Sequence, residues 1–164
     1  DLDVPRGISA LSTEDVDLTS LVQRCIDGVG FRTAKKQQTV EVDVDPSLMI
    51  AGDRELLRNI LEALLSNASK FSPVGSRIQL SACPEERMAR ITVEDCGVGM
   101  SQQDLGDVFT RYALLSSRST EGESQARGTL ARVRQWVKAH NGDITAYSEG
   151  RGKGALFTVR LPRK

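Results

Sequence analysis

The sequence predicts an α/β sandwich: one mixed, largely antiparallel sheet with helices on a single face. Three observations lead there. Helical apolar spacing recurs in three separated stretches, strict alternation appears between them with hairpin-type connections, and 164 residues with 39% hydrophobic content suit one core rather than two.

The elements follow in order. From Asp17 to Lys36 the residues Leu18, Leu21, Val22, Ile26 and Val29 keep close to helical period, with Gly28 and Gly30 marking a weakened end. Thr39 to Val44 alternates as a half-buried strand, Val40, Val42 and Val44 against Glu41 and Asp43, and Asp45-Pro46 closes it. Asp53 is a good helix N-cap. Behind it Leu56, Leu57, Ile60, Leu61, Leu64, Leu65 and Ala68 form a long apolar stripe that Pro73 and Gly75 end. Ile78-Leu80-Ala82 and Ile91-Val93, joined by the polar turn Pro84-Glu85-Glu86-Arg87, read as a hairpin. Ser101 caps a short helix toward Phe109. Residues 116–127 are small and polar without period, so the 114–127 segment is expected to be mobile. Leu130, Val133, Trp136, Val137 and His140 share a helix face up to Asn141-Gly142, and strands around Ile144–Ala146 and Phe157–Leu161 finish the chain.

Composition excludes several classes of function. The 22 Lys and Arg balance the 22 Asp and Glu, which argues against a dedicated nucleic-acid binder. The balance is local rather than uniform: residues 1–30 hold six acids and two bases, residues 150–164 five bases and no acid. No run has the roughly 18 to 20 consecutive apolar residues of a membrane helix, so no membrane contact is expected of this stretch. Cys25, Cys83 and Cys96 offer neither a disulfide framework nor metal spacing and fit a reducing cytoplasm. The chain opens on Asp1 rather than Met and is read as a piece of a longer protein, whose missing part is free to carry a membrane anchor.

Two groups of residues suggest chemistry. Ala63, Asn67 and Lys70 form one stripe beside the apolar face of the long helix. An amide at that edge needs a partner, either a loop carbonyl or a hard cation such as Mg²⁺, with Lys70 countering a phosphate. In Val93-Glu94-Asp95-Cys96-Gly97-Val98-Gly99-Met100, alternation turns Asp95 to the core side with Ile91 and Val93. An inward carboxylate must be paired, either with backbone N–H groups of the next turn or with the exocyclic amine of an adenine. Gly97 and Gly99 leave room for a planar ring against the backbone.

The pieces LLRNILEALLSNASKFS (56–72), VEDCGVGM (93–100), FTRY (109–112), HNGDITAYS (140–148) and EGRGKGALFTVRLP (149–162) resemble, in sequence and spacing, the nucleotide-binding boxes of sensor histidine kinase catalytic domains. The resemblance runs from about Asp17 to Pro162. It implies the Bergerat ATP-binding fold of the gyrase-type superfamily, with residues 1–16 the end of the dimerisation helices and their linker and 17–164 the catalytic domain. It implies ATP and Mg²⁺ as cofactors and phosphoryl transfer to a histidine outside this chain. Partners would be the dimerisation and phosphoacceptor helices and a response regulator. By the same resemblance Asn67 is the Mg²⁺ ligand, Lys70 faces phosphate, Asp95 binds adenine beside Gly97 and Gly99, and His140 is structural at a helix end. Two positions depart from the pattern. Ala63 stands where the family has Asn or Glu, and Glu62 points about 100° away around the helix. Gln125, Arg127 and Thr129 stand where glycines wrap the phosphates, with Gly128 out of register, and Arg127 either reaches a phosphate or fills the space. The departures imply a rival reading, a pseudokinase module that regulates a partner kinase or response regulator with little or no turnover. A gyrase-like or MutL-like ATPase would place a general-base Glu at position 63, and alanine argues against it.

Overall fold

The computed structural model describes residues 11–109 and 129–164. Its elements are β1 (Thr13–Asp17), α1 (Leu18–Gly28), α2 (Gly30–Lys35), β2 (Thr39–Val44), β3 (Met49–Asp53), α3 (Arg54–Phe71), β4 (Arg77–Glu85), β5 (Met88–Asp95), α4 (Gln102–Asp107), α5 (Thr129–Ala139), β6 (Asp143–Tyr147) and β7 (Ala155–Pro162). Five strands make the main sheet in the order β2-β4-β5-β7-β6. Only β2 and β4 run parallel; the other pairings are antiparallel. This is the predicted sandwich.

Alternation decides which face of the sheet is covered. Ile78, Leu80 and Ala82 of β4, Ile91 and Val93 of β5, and Phe157, Val159 and Leu161 of β7 are buried beneath α1, α3 and α5. The residues between them on β4 and β5, such as Gln79, Arg90 and Glu94, face solvent. The stripe of α3 meets this face with Leu57, Ile60, Leu61, Leu64, Leu65 and Ala68 buried, and burial of each such Leu or Ile stabilises by roughly 1.5 to 3 kcal/mol. Strand β2 lies at the edge of the sheet, which leaves Val42 47% exposed; the half-buried pattern predicted for it is more open than its alternation suggests.

Two differences from the sequence reading have physical causes. The stretch from Asp17 to Lys36 divides at Val29, between Gly28 and Gly30, into α1 and α2. Strands β1 and β3 have no counterpart among the expected elements, and they pair with each other in a separate two-stranded sheet. Their sequences, TEDVD and MIAGD, are too short and too weakly alternating to signal a strand. Most of β1 lies on the linker side of the boundary expected at residue 16. Lys164 closes the same corner, its N–H donating to the Met49 carbonyl at 2.8 Å and its Nζ pairing with Asp15 at 2.8 Å. The expected mobile segment at 114–127 lies outside the described residues.

Both ends of α3 are held by side chains. At its N-terminus Asp53 Oδ1 accepts from the N–H groups of Glu55 (3.1 Å) and Leu56 (3.2 Å), as its cap role requires. The Asp53 N–H in turn donates to His140 Nε2 at 3.0 Å, while His140 Nδ1 donates to the Trp136 carbonyl at 2.8 Å. Both ring nitrogens are engaged, which agrees with the structural role expected of this histidine.

At the C-terminus the last-turn carbonyls would be unpaired without outside donors. Lys36, 1% exposed, donates from Nζ to the carbonyls of Ser69 (2.7 Å) and Lys70 (3.2 Å). Gln38 Nε2 donates to the carbonyls of Ser69 (3.2 Å) and Ser72 (3.1 Å), and its Oε1 accepts from Ser69 Oγ at 2.6 Å. A cation there also complements the helix dipole. Lys36→Met, which keeps the stem and removes the donor, should cost about 2 kcal/mol in urea denaturation because it strips partners from buried carbonyls. An unchanged midpoint would show that Gln38 suffices alone.

Candidate functional site

The C-terminal turn of α3, the end of β5 and the start of β7 converge on one pocket. Asn67 and Phe71 come from α3, Asp95, Gly99 and Met100 from β5 and its following turn, and Leu130, Ala155 and Phe157 close it. The apolar side chains form its floor and walls, and Phe109 packs edge-on against Phe157 with ring centroids 6.3 Å apart. Such a lining suits a flat apolar ring with a few fixed polar contacts.

Asp95 is the charged side chain of this lining. It ends β5 opposite Ile78 and Ala155 and is 6% exposed, on the inner side as alternation requires. Burial pushes its carboxyl up to about 6, against the N–H groups of Gly97 and Ala155, which favour the ionised form, and with Glu94 adding a small upward push. Its Oδ1 accepts from the Gly97 N–H at 2.8 Å. That bond is one of the two pairings anticipated for an inward carboxylate, and it leaves further acceptor capacity.

Asn67 lies across the pocket from the strand. Its carboxamide makes no hydrogen bond among the described residues, so the loop-carbonyl explanation for its position does not hold there. Lys70 follows on the same helix, half-buried and outside the pocket lining. Ala63 packs partly into the core. Glu62 is turned toward α1 and holds Arg58 Nε at 2.9 Å, the direction expected from its place around the helix. Hence α3 offers the pocket one side-chain oxygen. Among the described residues no group of three or more His, Cys, Asp or Glu is arranged to hold a metal. Among the described residues that line the pocket, Asn67 offers the one amide oxygen, a hard donor of the kind Mg²⁺ takes.

The glycines are needed for close approach of backbones. A side chain at Gly97 would overlap the Phe71 carbonyl, which accepts from the Val98 N–H at 3.0 Å and so ties the turn to α3. Gly99 has φ +68, and a side chain there would overlap the Gly150 carbonyl. Arg127 and Gly128 lie outside the described residues, as do Gln125 and most of the FTRY run.

Sequence reasoning missed the apolar lining and one polar residue, Ser148. The lining comes from four separate elements and has no local signature. Ser148, 2% exposed, follows β6 just before three alternate glycines, and a small hydroxyl in that setting was the available signal.

Comparison with known proteins agrees with this geometry. Residues 52–164 match the family described as histidine kinase-, DNA gyrase B-, and HSP90-like ATPase. The chain is 33% identical over 160 residues to the sensor histidine kinase TmoS of Ectopseudomonas mendocina, covering 95% of itself and 16% of that protein. It is 30% identical to the circadian input-output histidine kinase CikA of Synechocystis sp., covering 96% of itself and 21% of that protein. The chain thus spans only a small part of the length of these two curated relatives. Among solved structures, the mycobacterial sensor histidine kinase MprB superposes with a TM-score of 0.82 at 27% identity, covering 92% of this chain and 99% of that one. Full-length ShkA, solved in complex with AMPPNP, superposes with a TM-score of 0.80 at 26% identity, covering 94% of this chain and 32% of that one.

Proposed function

Because the chain belongs to the histidine kinase-, DNA gyrase B- and HSP90-like ATPase family, and is a catalytic domain of the sensor histidine kinase type, we propose that its pocket binds ATP with Mg²⁺ for phosphoryl transfer to a histidine outside it. The observation that supports this best is that the buried Asp95 carboxylate lines the pocket together with the Asn67 carboxamide, which makes no hydrogen bond among the described residues. Asp95 accepts a hydrogen bond from the exocyclic amine of adenine, and Gly99 and Met100 give the ring a flat wall. Asn67 contributes its oxygen to the metal, and Lys70 acts toward the phosphates by charge. Arg127 and Gly128 are proposed for the phosphate loop. When bound, MgATP supplies the phosphoryl group, and the domain contributes positioning and charge neutralisation. The dimerisation and phosphoacceptor helices and a response regulator are the proposed partners, and the cytoplasm is the proposed location.

The two halves of the nucleotide are gripped unequally. The adenine end has its carboxylate and close-packed turn, whereas α3 presents a single oxygen toward metal and phosphate because Ala63 has none. Calorimetric titration with ATP, ADP and a non-hydrolysable ATP analogue, each with Mg²⁺, tests the reading. Binding of all three with ADP within about threefold of ATP is expected, since two missing charge-assisted contacts at roughly 1.5 to 3 kcal/mol each fall on the phosphate end. Absence of any nucleotide binding would overturn the assignment. A preference for ATP above about tenfold would show that the γ-phosphate is held by residues other than those of α3.

A further inference from the structure

Ser148 sits just past β6, almost fully buried, outside the pocket lining. Its hydroxyl nevertheless meets the 97–100 turn, whose Gly99 and Met100 line the pocket, and the 150–154 turn packed against it. Oγ accepts from the Met100 N–H at 3.0 Å and from the Gly150 N–H at 3.2 Å. It stands 2.6 Å from the Gly154 carbonyl and 3.1 Å from the Gly150 carbonyl, and its one proton favours the shorter contact.

From Gly154 the bonding continues inward. The Gly154 N–H donates to the Gly97 carbonyl at 3.1 Å, and the Gly97 N–H donates to Asp95 Oδ1 at 2.8 Å. The peptide that accepts from Ser148 through the Gly154 carbonyl also carries the Ala155 N–H, one of the two backbone donors acting on the same carboxylate. Alongside runs a second tie between the turns, from the Gly152 N–H to the Val98 carbonyl at 2.7 Å. In a buried setting a bond accepted by a carbonyl polarises the N–H of the same peptide, so the Ser148 bond strengthens the Ala155 donor, while the ties through Gly154 and Gly97 hold the geometry of the two turns.

We infer that Ser148 is a positioning residue for adenine recognition: through Gly154 and Gly97 it sets the Asp95 carboxylate, and through the Met100 N–H it sets the wall beside it. This rests on the nucleotide-binding reading above. A serine that only supported the fold would serve every ligand of the pocket alike. One that aims Asp95 should matter most to ligands whose amine donates to Asp95.

The experiment is calorimetric titration of wild type, Ser148→Ala and Ser148→Cys with MgATP and with the Mg²⁺ salt of purine riboside triphosphate, which lacks the exocyclic amine. Ser148→Ala should weaken ATP about tenfold, the value of one aligned hydrogen bond, and the amine-free nucleotide about twofold or less. Ser148→Cys keeps the shape with a poorer donor and should fall between wild type and alanine on ATP alone; it also serves if the alanine variant fails to fold. Equal losses on the two nucleotides, or no loss on ATP, would overturn the inference while leaving nucleotide binding in place. A wild-type chain that binds neither nucleotide would overturn the reading beneath it, and the inference with it.

Discussion

Replacing Asp95 with asparagine should abolish useful ATP binding and at the same time make the empty domain more stable at neutral pH. The two effects share a cause. With its carboxyl pushed up to about 6 by burial, the folded state holds the proton more tightly than the unfolded chain, where the value is about 4. The folded state then binds more protons between those values, so this group's contribution to stability is full below about pH 4 and is lost as pH rises to about 6. A rise from about 4 to about 6 corresponds to roughly 3 kcal/mol at most. The Asp95→Asn side chain would be neutral throughout, and its oxygen can still accept from the Gly97 N–H. Its amide nitrogen then faces the adenine amine, donor against donor, and the expected loss of affinity is on the order of 100- to 1000-fold. Denaturation of wild type from about pH 4 to 8 should show the decline, and the variant should lack it. Nucleotide affinity of wild type should fall below about pH 6 as Asp95 takes up its proton. A variant that binds ATP within about tenfold of wild type would remove Asp95 from adenine recognition.

The second large effect is expected at Gly99. At φ +68 an alanine costs roughly 1 to 2 kcal/mol from backbone conformation alone, and the new methyl also overlaps the Gly150 carbonyl, which is backbone and cannot swing aside. The turn must move away from the 150–154 loop, and the Met100–Ser148 bond moves with it. A total of about 3 kcal/mol or more is expected for Gly99→Ala, with ATP binding lost as well. Gly75 separates the two causes, since it has φ +81 with open space around it; Gly75→Ala should cost only the conformational part. Equal destabilisation of the two variants in urea would mean that crowding contributes nothing at Gly99.

Much of this was legible in the residues, and the exceptions have identifiable reasons. Helix α3 could be read in full because its caps and stripe are local properties of one contiguous stretch. Asp95 could be read because alternation from Ile91 leaves it one side only. Strand β3 could not, since five residues with a central Ala-Gly carry little period. Its pairing partner β1 lies two helices and a strand earlier in the chain, a separation that no local pattern reports. Lys36 was hidden for another reason: it reads as an ordinary charge near a helix end, and only the folded chain brings it under the carbonyls of Ser69 and Lys70. Within the pocket, the polar contacts were visible as motif residues. The apolar walls were not, because Phe71, Leu130 and Phe157 meet only once α3, α5 and β7 are packed.

The sheet is covered on one face only, and this has a consequence for how the sequence is free to drift. Along β4 and β5 every second side chain is shut inside while its neighbours look outward, where pairs such as Thr92 and Ser81 meet on the outer face at 3.2 Å. Outward positions need only be compatible with an extended backbone and with their cross-strand neighbours, a requirement many residues meet to within about 1 kcal/mol. Inward positions are bound by volume. Related chains can therefore exchange nearly the whole outer surface of these strands while preserving fold and pocket, and the inheritance of the domain is written at every second residue.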